Sequence, residues 1–291
     1  MPSVIHHGGL ARAAPLLRHP RYEVFPAATT EDAVLEWVPP DITVTVTASP
    51  AKGLDPTLDL TERLTGRGYR VVPHLSARLV RDDAHLTDIV ARLTASGVDD
   101  VFVPAGDADP PAGRFDGALP LLDRLAEMGS PFSRVGVTGY PQSHPKIGDD
   151  VTIQAMWDKR HHATYLVSNL CFDPVTLRRW IARVRARGIT LPMFVGIAGP
   201  VDRTRLVRMA AKAGVAESAR FLAGHTGWFL RLGAPGGYSP ERLLERTGST
   251  LAAPASAVEG LHVFTFNQVR QVEQWRRALV ERLAERPRPV H

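Results

Sequence analysis

Eight strand-like segments, most of them separated by one helix, predict an α/β protein folded as a (β/α)8 TIM barrel. Alternation of this kind makes a parallel sheet with right-handed crossovers. The length of 291 residues fits eight such units in one closed barrel. The third observation is an absence. No Gly-x-Gly-x-x-Gly follows the first strand, so a doubly wound open sheet is the structural runner-up. There is no P-loop, internal repeat or dividing linker. The expectation is therefore one domain over 1–291, with a short arm to about residue 20 and a tail from about residue 286.

The first strand is Arg21-Tyr22-Glu23-Val24-Phe25-Pro26, an apolar-aromatic run closed by proline. A period of two puts Tyr22 and Val24 on one side and Glu23 and Phe25 on the other. Glu23 is then either a solvated edge charge or a carboxylate inside a barrel, where an unpaired charge is costly. Thr29-Thr30-Glu31-Asp32 reads as a helix start. The β-branched run from Asp41 to Thr47 is the second strand. Thr57 to Gly68 is helical, with Leu58, Leu60 and Leu64 forming much of its apolar side.

The unit then recurs. Tyr69 to His74 is a strand, and Asp82 to Ser96 a helix. Val98 to Pro104 is a strand, and Leu119 to Met128 a helix. Ser133 to Tyr140 is a strand, and Asp150 to His162 a helix. Ala163 to Leu170 is a strand, and Asp173 to Arg187 a helix with Asp173 as its N-cap. Leu191 to Ile197 is a strand, and Asp202 to Ala213 a helix. From Val215 to Gly260 the rhythm breaks into helical stretches and a Gly-rich loop. Leu261 to Phe266 is the last strand, and Gln268 to about Glu285 the last helix.

Composition is that of an ordinary globular chain, 44% hydrophobic and 22% charged. No apolar run is long enough to span a bilayer, and the N-terminus has no signal-peptide pattern, so a cytoplasmic location is expected. A single cysteine, Cys171, excludes an internal disulfide framework and cysteine-rich metal sites. It reads as a small buried hydrophobe. The net charge of +5 suits an anionic small molecule but offers no nucleic-acid motif. The sequence leaves room for a homo-oligomer.

Barrel chemistry gathers at the C-terminal ends of the strands. Those ends carry Glu23, Thr47, His74, Asp107, Tyr140 with His144, Asn169, Gly196 to Pro200, and Asn267. Each taken alone has a plain structural explanation. Together they suit a polar heteroaromatic ligand. No His-Glu-x-x-His or Gly-x-Ser-x-Gly occurs, so neither a zinc protease nor a serine hydrolase is indicated, and no metal is expected.

Six of these stretches, in order, resemble motifs of the methylenetetrahydrofolate reductase family, whose members are (β/α)8 barrels. They are Tyr22-Glu23-Val24-Phe25-Pro26, Val44-Thr45-Val46-Thr47, Pro73-His74-Leu75-Ser76, Tyr140-Pro141-Gln142-Ser143-His144-Pro145, Ser168-Asn169-Leu170-Cys171-Phe172-Asp173 and Phe264-Thr265-Phe266-Asn267. The resemblance implies reduction of 5,10-methylenetetrahydrofolate, with Glu23 as catalytic acid and Asp107 beside it. It implies substrate contacts from Asn169, Thr47, Phe172 and Asp107. Cofactor-side roles fall to His74, Tyr140, His144 and Lys159.

The departures bear on the cofactor. Pro104-Ala105-Gly106-Asp107 stands where the family has Leu-Arg-Gly-Asp. The aspartate is kept, but the arginine that helps hold FAD is replaced by Ala105, and no other side chain reproduces its multi-donor fork. Ala48 replaces a tyrosine, and Asn169 a glutamine. In this the chain is similar to the family's flavin-independent actinobacterial branch, which passes hydride from NADH or NADPH directly to the substrate. Basic residues near the mouth could meet a polyglutamate tail. The same reaction through FAD, a deazaflavin-dependent pterin reductase, and a non-catalytic folate- or flavin-binding barrel are the alternatives.

Overall fold

A computed structural model describes residues 8–141, 149–200 and 238–285. Eight parallel strands are hydrogen-bonded in the order β3-β2-β1-β8-β7-β6-β5-β4. They are β1 (Arg21–Val24), β2 (Thr43–Val46), β3 (Val71–Pro73), β4 (Asp100–Phe102), β5 (Arg134–Gly139), β6 (Tyr165–Ser168), β7 (Met193–Ala198) and β8 (Val258–Phe264). The expected barrel is therefore present. Its last join, between β3 and β4, does not run through the strands proper. Pro73 has no N–H to donate, and the closure passes to the next residues. His74 bridges to Phe102, and the amide of Leu75 donates to the Phe102 carbonyl at 2.8 Å.

The described helices are α1 (Gly8–Ala13), α2 (Thr30–Trp37), α3 (Asp55–Gly66), α4 (Asp83–Ala95), α5 (Ala118–Glu127), α6 (Asp149–Lys159), α7 (Pro174–Ala186), α8 (Pro240–Leu251) and α9 (Val269–Ala284). Their apolar faces meet the outward residues of the strands, among them Val24, Val44, Leu166 and Ile197, in one large core. The caps follow the sequence rules. Asp82 accepts from the amide of His85 at the start of α4, and Asp173 from that of Thr176 at the start of α7. The expected helix over Asp202 to Ala213 lies outside the described residues.

Two expectations shift. Part of the stretch read as an N-terminal arm is helical: α1 packs on α8 and buries Leu10 and Ala13, while the Glu245 carboxylate accepts from the Leu10 amide at 2.9 Å. Strand β8 begins at Val258, ahead of the expected Leu261. Glu259 and Gly260 are poor strand formers, but Glu259 pairs with Arg134 at 3.1 Å on the neighbouring rim.

Inside the barrel the side chains form layers. The lowest, at the strand starts, is ionic. Arg21 donates to Tyr165 Oη at 2.8 Å and to Asp100 Oδ2 at 2.9 Å, and Tyr165 donates to Asp100 Oδ1 at 2.6 Å. The Arg21 guanidinium also lies 3.9 Å from the Phe194 ring centre. Gly136 is required here, because a Cβ at that position would stand 2.3 Å from the Tyr165 ring. Above this plug Val72, Phe102, Tyr165, Val167 and Phe194 form a separate apolar cluster. The layer that holds Glu23 rests on it through the His74 ring, edge-on to Phe102.

Candidate active site

Glu23 is on the inward face of β1 and is 8% exposed, so the solvated-edge reading does not hold. Its neighbour Tyr22 points outward, donating to Glu273 of α9 at 2.8 Å. Burial would raise the Glu273 carboxyl, but hydrogen bonds from Arg276, Arg277 and Tyr22 hold it below its ordinary range. Thus β1 is anchored outside by Tyr22 while it presents Glu23 inside. The backbone is held as well, because the Thr265 hydroxyl donates to the Glu23 carbonyl at 2.5 Å.

Two imidazoles face the carboxylate. Nε2 of His262, on β8, lies 3.0 Å from Glu23 Oε2. Nε2 of His74 lies 3.9 Å from the same oxygen, its ring edge-on to Phe102 with centres 4.8 Å apart. Both histidines are buried. Burial lowers the His74 pKa to about 4, the Glu23 carboxylate opposing and His262 adding to the shift. His74 is therefore neutral at ordinary pH.

Three buried polar atoms around this carboxylate have no hydrogen-bond partner among the described residues: His74 Nε2, His262 Nδ1 and Thr45 Oγ1. Thr45 pairs with Glu23 in register and so faces the same side. Buried polar groups left unpaired are rare, and where they gather they mark a place for a ligand, water or proton transfer. Glu23, His74 and His262 also offer three ligand atoms within 4.8 Å of one another, a donor set able to hold a divalent ion. The 3.0 Å contact from Glu23 to His262 is by itself of hydrogen-bond length.

The other expected residues are distributed as follows. Asp107 is exposed in the loop after β4, where Gly106, at φ 87°, fits tightly against Ser76. Tyr140 follows β5, and its phenol pKa is raised by burial and then by the Asp107 carboxylate. Those two are thus brought together. Thr47 follows β2; its amide donates to Val24 O and its carbonyl accepts from Thr57. Asn169 is half-buried after β6, its Oδ1 accepting from the Leu170 amide at 2.8 Å. Phe172 packs edge-on to Tyr238, ring centres 5.1 Å apart. His144 lies outside the described residues.

Lys159 ends α6, which puts it at the end of the barrel where β6 starts, away from the strand C-termini. Desolvation lowers its pKa. The structure does not bring it to Glu23. Asn267, named only as a strand-end residue, is structural: it bonds both backbone polar groups of Phe25. His262 went unrecognised in the sequence. Its signal was the alternation in Leu261-His262-Val263, which turns the histidine into the barrel when its neighbours face the helices.

The fit to a flavin is poor among the described residues. Ala105 has no side-chain donor to offer. The nearby guanidinium of Arg78 is spent on the Ala108 carbonyl at 2.6 Å, the Asp116 carbonyl at 3.3 Å and Asp109 at 3.5 Å.

A family model described as methylenetetrahydrofolate reductase matches residues 29–218. Among solved structures, an oxaloacetate acetylhydrolase is similar at 10% identity and a TM-score of 0.52, over 95% of this chain and 87% of that one. A putative lyase/mutase from Burkholderia cenocepacia J2315 is similar at 16% identity and a TM-score of 0.48, over 94% and 85%. At such identity the first shows a shared fold and nothing about chemistry.

Proposed function

The chain belongs to the methylenetetrahydrofolate reductase family, and from that premise we propose that it reduces 5,10-methylenetetrahydrofolate to 5-methyltetrahydrofolate with hydride taken directly from NADH or NADPH. The observation that carries this is the buried Glu23, hydrogen-bonded to His262 and ringed by unpartnered polar atoms.

The substrate's imidazolidine ring must open before its one-carbon unit can accept hydride. Opening breaks a carbon–nitrogen bond, and the departing nitrogen keeps the electron pair and needs a proton. Glu23 supplies that proton as general acid. The resulting 5-iminium carbon takes hydride from the reduced nicotinamide. The products are the methyl group and oxidised nicotinamide, and Glu23 regains its proton from solvent. Asp107, an anion at the mouth, stabilises the iminium and holds pterin ring nitrogens. Asn169 has an amide N–H left to offer the pterin edge. Thr47 and Phe172 complete the substrate wall, and Tyr140 and His144 serve the nicotinamide side.

Ala105 and the occupied Arg78 offer no fork for a flavin phosphate. This supports a flavin-independent enzyme of the actinobacterial type.

The test is the visible spectrum of freshly purified protein, followed by NADH and NADPH oxidation with methylenetetrahydrofolate and no added flavin. Equimolar nicotinamide oxidation and methyltetrahydrofolate formation by a colourless protein is the expected result. Turnover that requires added FAD or a deazaflavin would overturn the direct transfer. Folate binding without oxidation of either nicotinamide would reduce the protein to a binding barrel.

A further inference from the structure

We propose that His262 is the positioning residue of the Glu23 acid: it donates from Nε2 to Oε2 of Glu23 and so leaves Oε1 to carry the transferable proton. This rests on the acid role given to Glu23 above.

The tautomer follows from the partners. His262 is 1% exposed, and its Nδ1 has no hydrogen-bond partner among the described residues. A buried N–H with no acceptor is rarer in folded proteins than an under-satisfied acceptor. The one proton of the neutral ring therefore sits on Nε2, 3.0 Å from Glu23 Oε2. That oxygen is then an acceptor. Oε1 makes no hydrogen bond among the described residues, and it is the oxygen left to meet a ligand. When Oε1 gives up its proton, the contact to His262 becomes a charge-assisted bond to a carboxylate, which is shorter and stronger. His262 thus favours the state that follows proton transfer.

The surroundings isolate the pair. The titratable groups facing Glu23 among the described residues are His262 and His74. His74 stands too far from Oε2, at 3.9 Å, for a hydrogen bond. Arg21, on the same face of β1, is engaged one layer lower by Asp100 and Tyr165. Phe264 packs edge-on to His262, with ring centres 5.0 Å apart, and restricts its rotation.

The test compares His262→Gln, which keeps an N–H donor at similar reach, with His262→Met, which fills similar space without one. His262→Met is expected to lower kcat about a hundredfold, in the range of general-acid contributions, with little change in KM for the folate. His262→Gln is expected to retain most of kcat. Infrared difference spectra against Glu23→Gln follow the Glu23 carboxyl itself. Loss of the donor should shift the Glu23 carboxyl band, because Oε2 no longer accepts from His262 Nε2.

A wild-type kcat with an unshifted carboxyl band in His262→Met would overturn the proposal. So would equal losses in both variants without a band shift, which mark a purely structural role. Full turnover by Glu23→Gln would overturn the acid role, and this proposal with it; an unshifted band overturns this proposal alone.

Discussion

Asn267 holds both backbone polar groups of Phe25, its Oδ1 accepting from the amide at 2.7 Å and its Nδ2 donating to the carbonyl at 3.0 Å. The side chain thus substitutes for the next rung between β8 and β1, just above Glu23. It does so from the left-handed region, at φ 56°, which asparagine tolerates better than most residues. Asn267→Ala removes both bonds and adds a backbone penalty. The expected loss is about 2–3 kcal/mol of unfolding free energy, read from urea denaturation. Asn267→Gly, which relieves only the backbone penalty, should be less harmful.

Glu23→Gln keeps the shape and removes the proton. Folate affinity is expected to persist while kcat falls about 10²–10⁴-fold. Binding calorimetry and single-turnover NADH oxidation separate the two, and a variant that turns over normally would exclude Glu23 as the acid.

His74 makes stability depend on pH. Its pKa in the fold is about 4, below the ordinary 6.5 of the unfolded chain. Between those values the unfolded chain binds more protons, so stability is complete above pH 6.5 and is lost as pH falls towards 4. The loss reaches roughly 3 kcal/mol at the lower end. Denaturation midpoints of the wild type should fall through this window, and His74→Gln should flatten that part of the slope.

The plug at the strand starts should not tolerate partial removal. Asp100→Ala leaves Arg21 buried without its carboxylate, and the expected cost is about 3–5 kcal/mol. Burial itself raises the Asp100 pKa, with Arg21 opposing, so Asp100→Asn should cost less than the alanine variant. Thermal melts of the two variants decide the order.

Chelation tests the alternative use of the triad. Dialysis against EDTA is expected to leave folate-dependent NADH oxidation unchanged if Glu23 serves as the proposed acid. Loss of activity restored by a divalent ion would assign Glu23, His74 and His262 to a metal instead.

The barrel was legible because its strands are β-branched or aromatic and each is followed by a turn and an amphipathic run. Boundaries were less so: Glu259 and Gly260 hid the start of β8, because a rim ion pair rather than propensity holds them there. Glu23 was readable from its strand and its resemblance. His262 was not, since a histidine in an apolar run has no local mark of which way it faces, and only the closed sheet brings β8 beside β1. The resemblance puts Lys159 with the cofactor, but the direction of α6 carries it to the other end. Asn267 reads like a binding residue in the sequence, and its two bonds to the Phe25 backbone make it structural.

The barrel's lateral closure depends on the residues after Pro73 rather than on a full strand ladder. One segment therefore serves as both fastener and instrument: the backbone that zips the cylinder shut is the backbone that aims the His74 imidazole. Loosening this seam would open the closure and move His74 relative to Glu23 in a single step. Heat tolerance and the setting of the Glu23, His74 and His262 cluster would then depend on the same few peptide bonds.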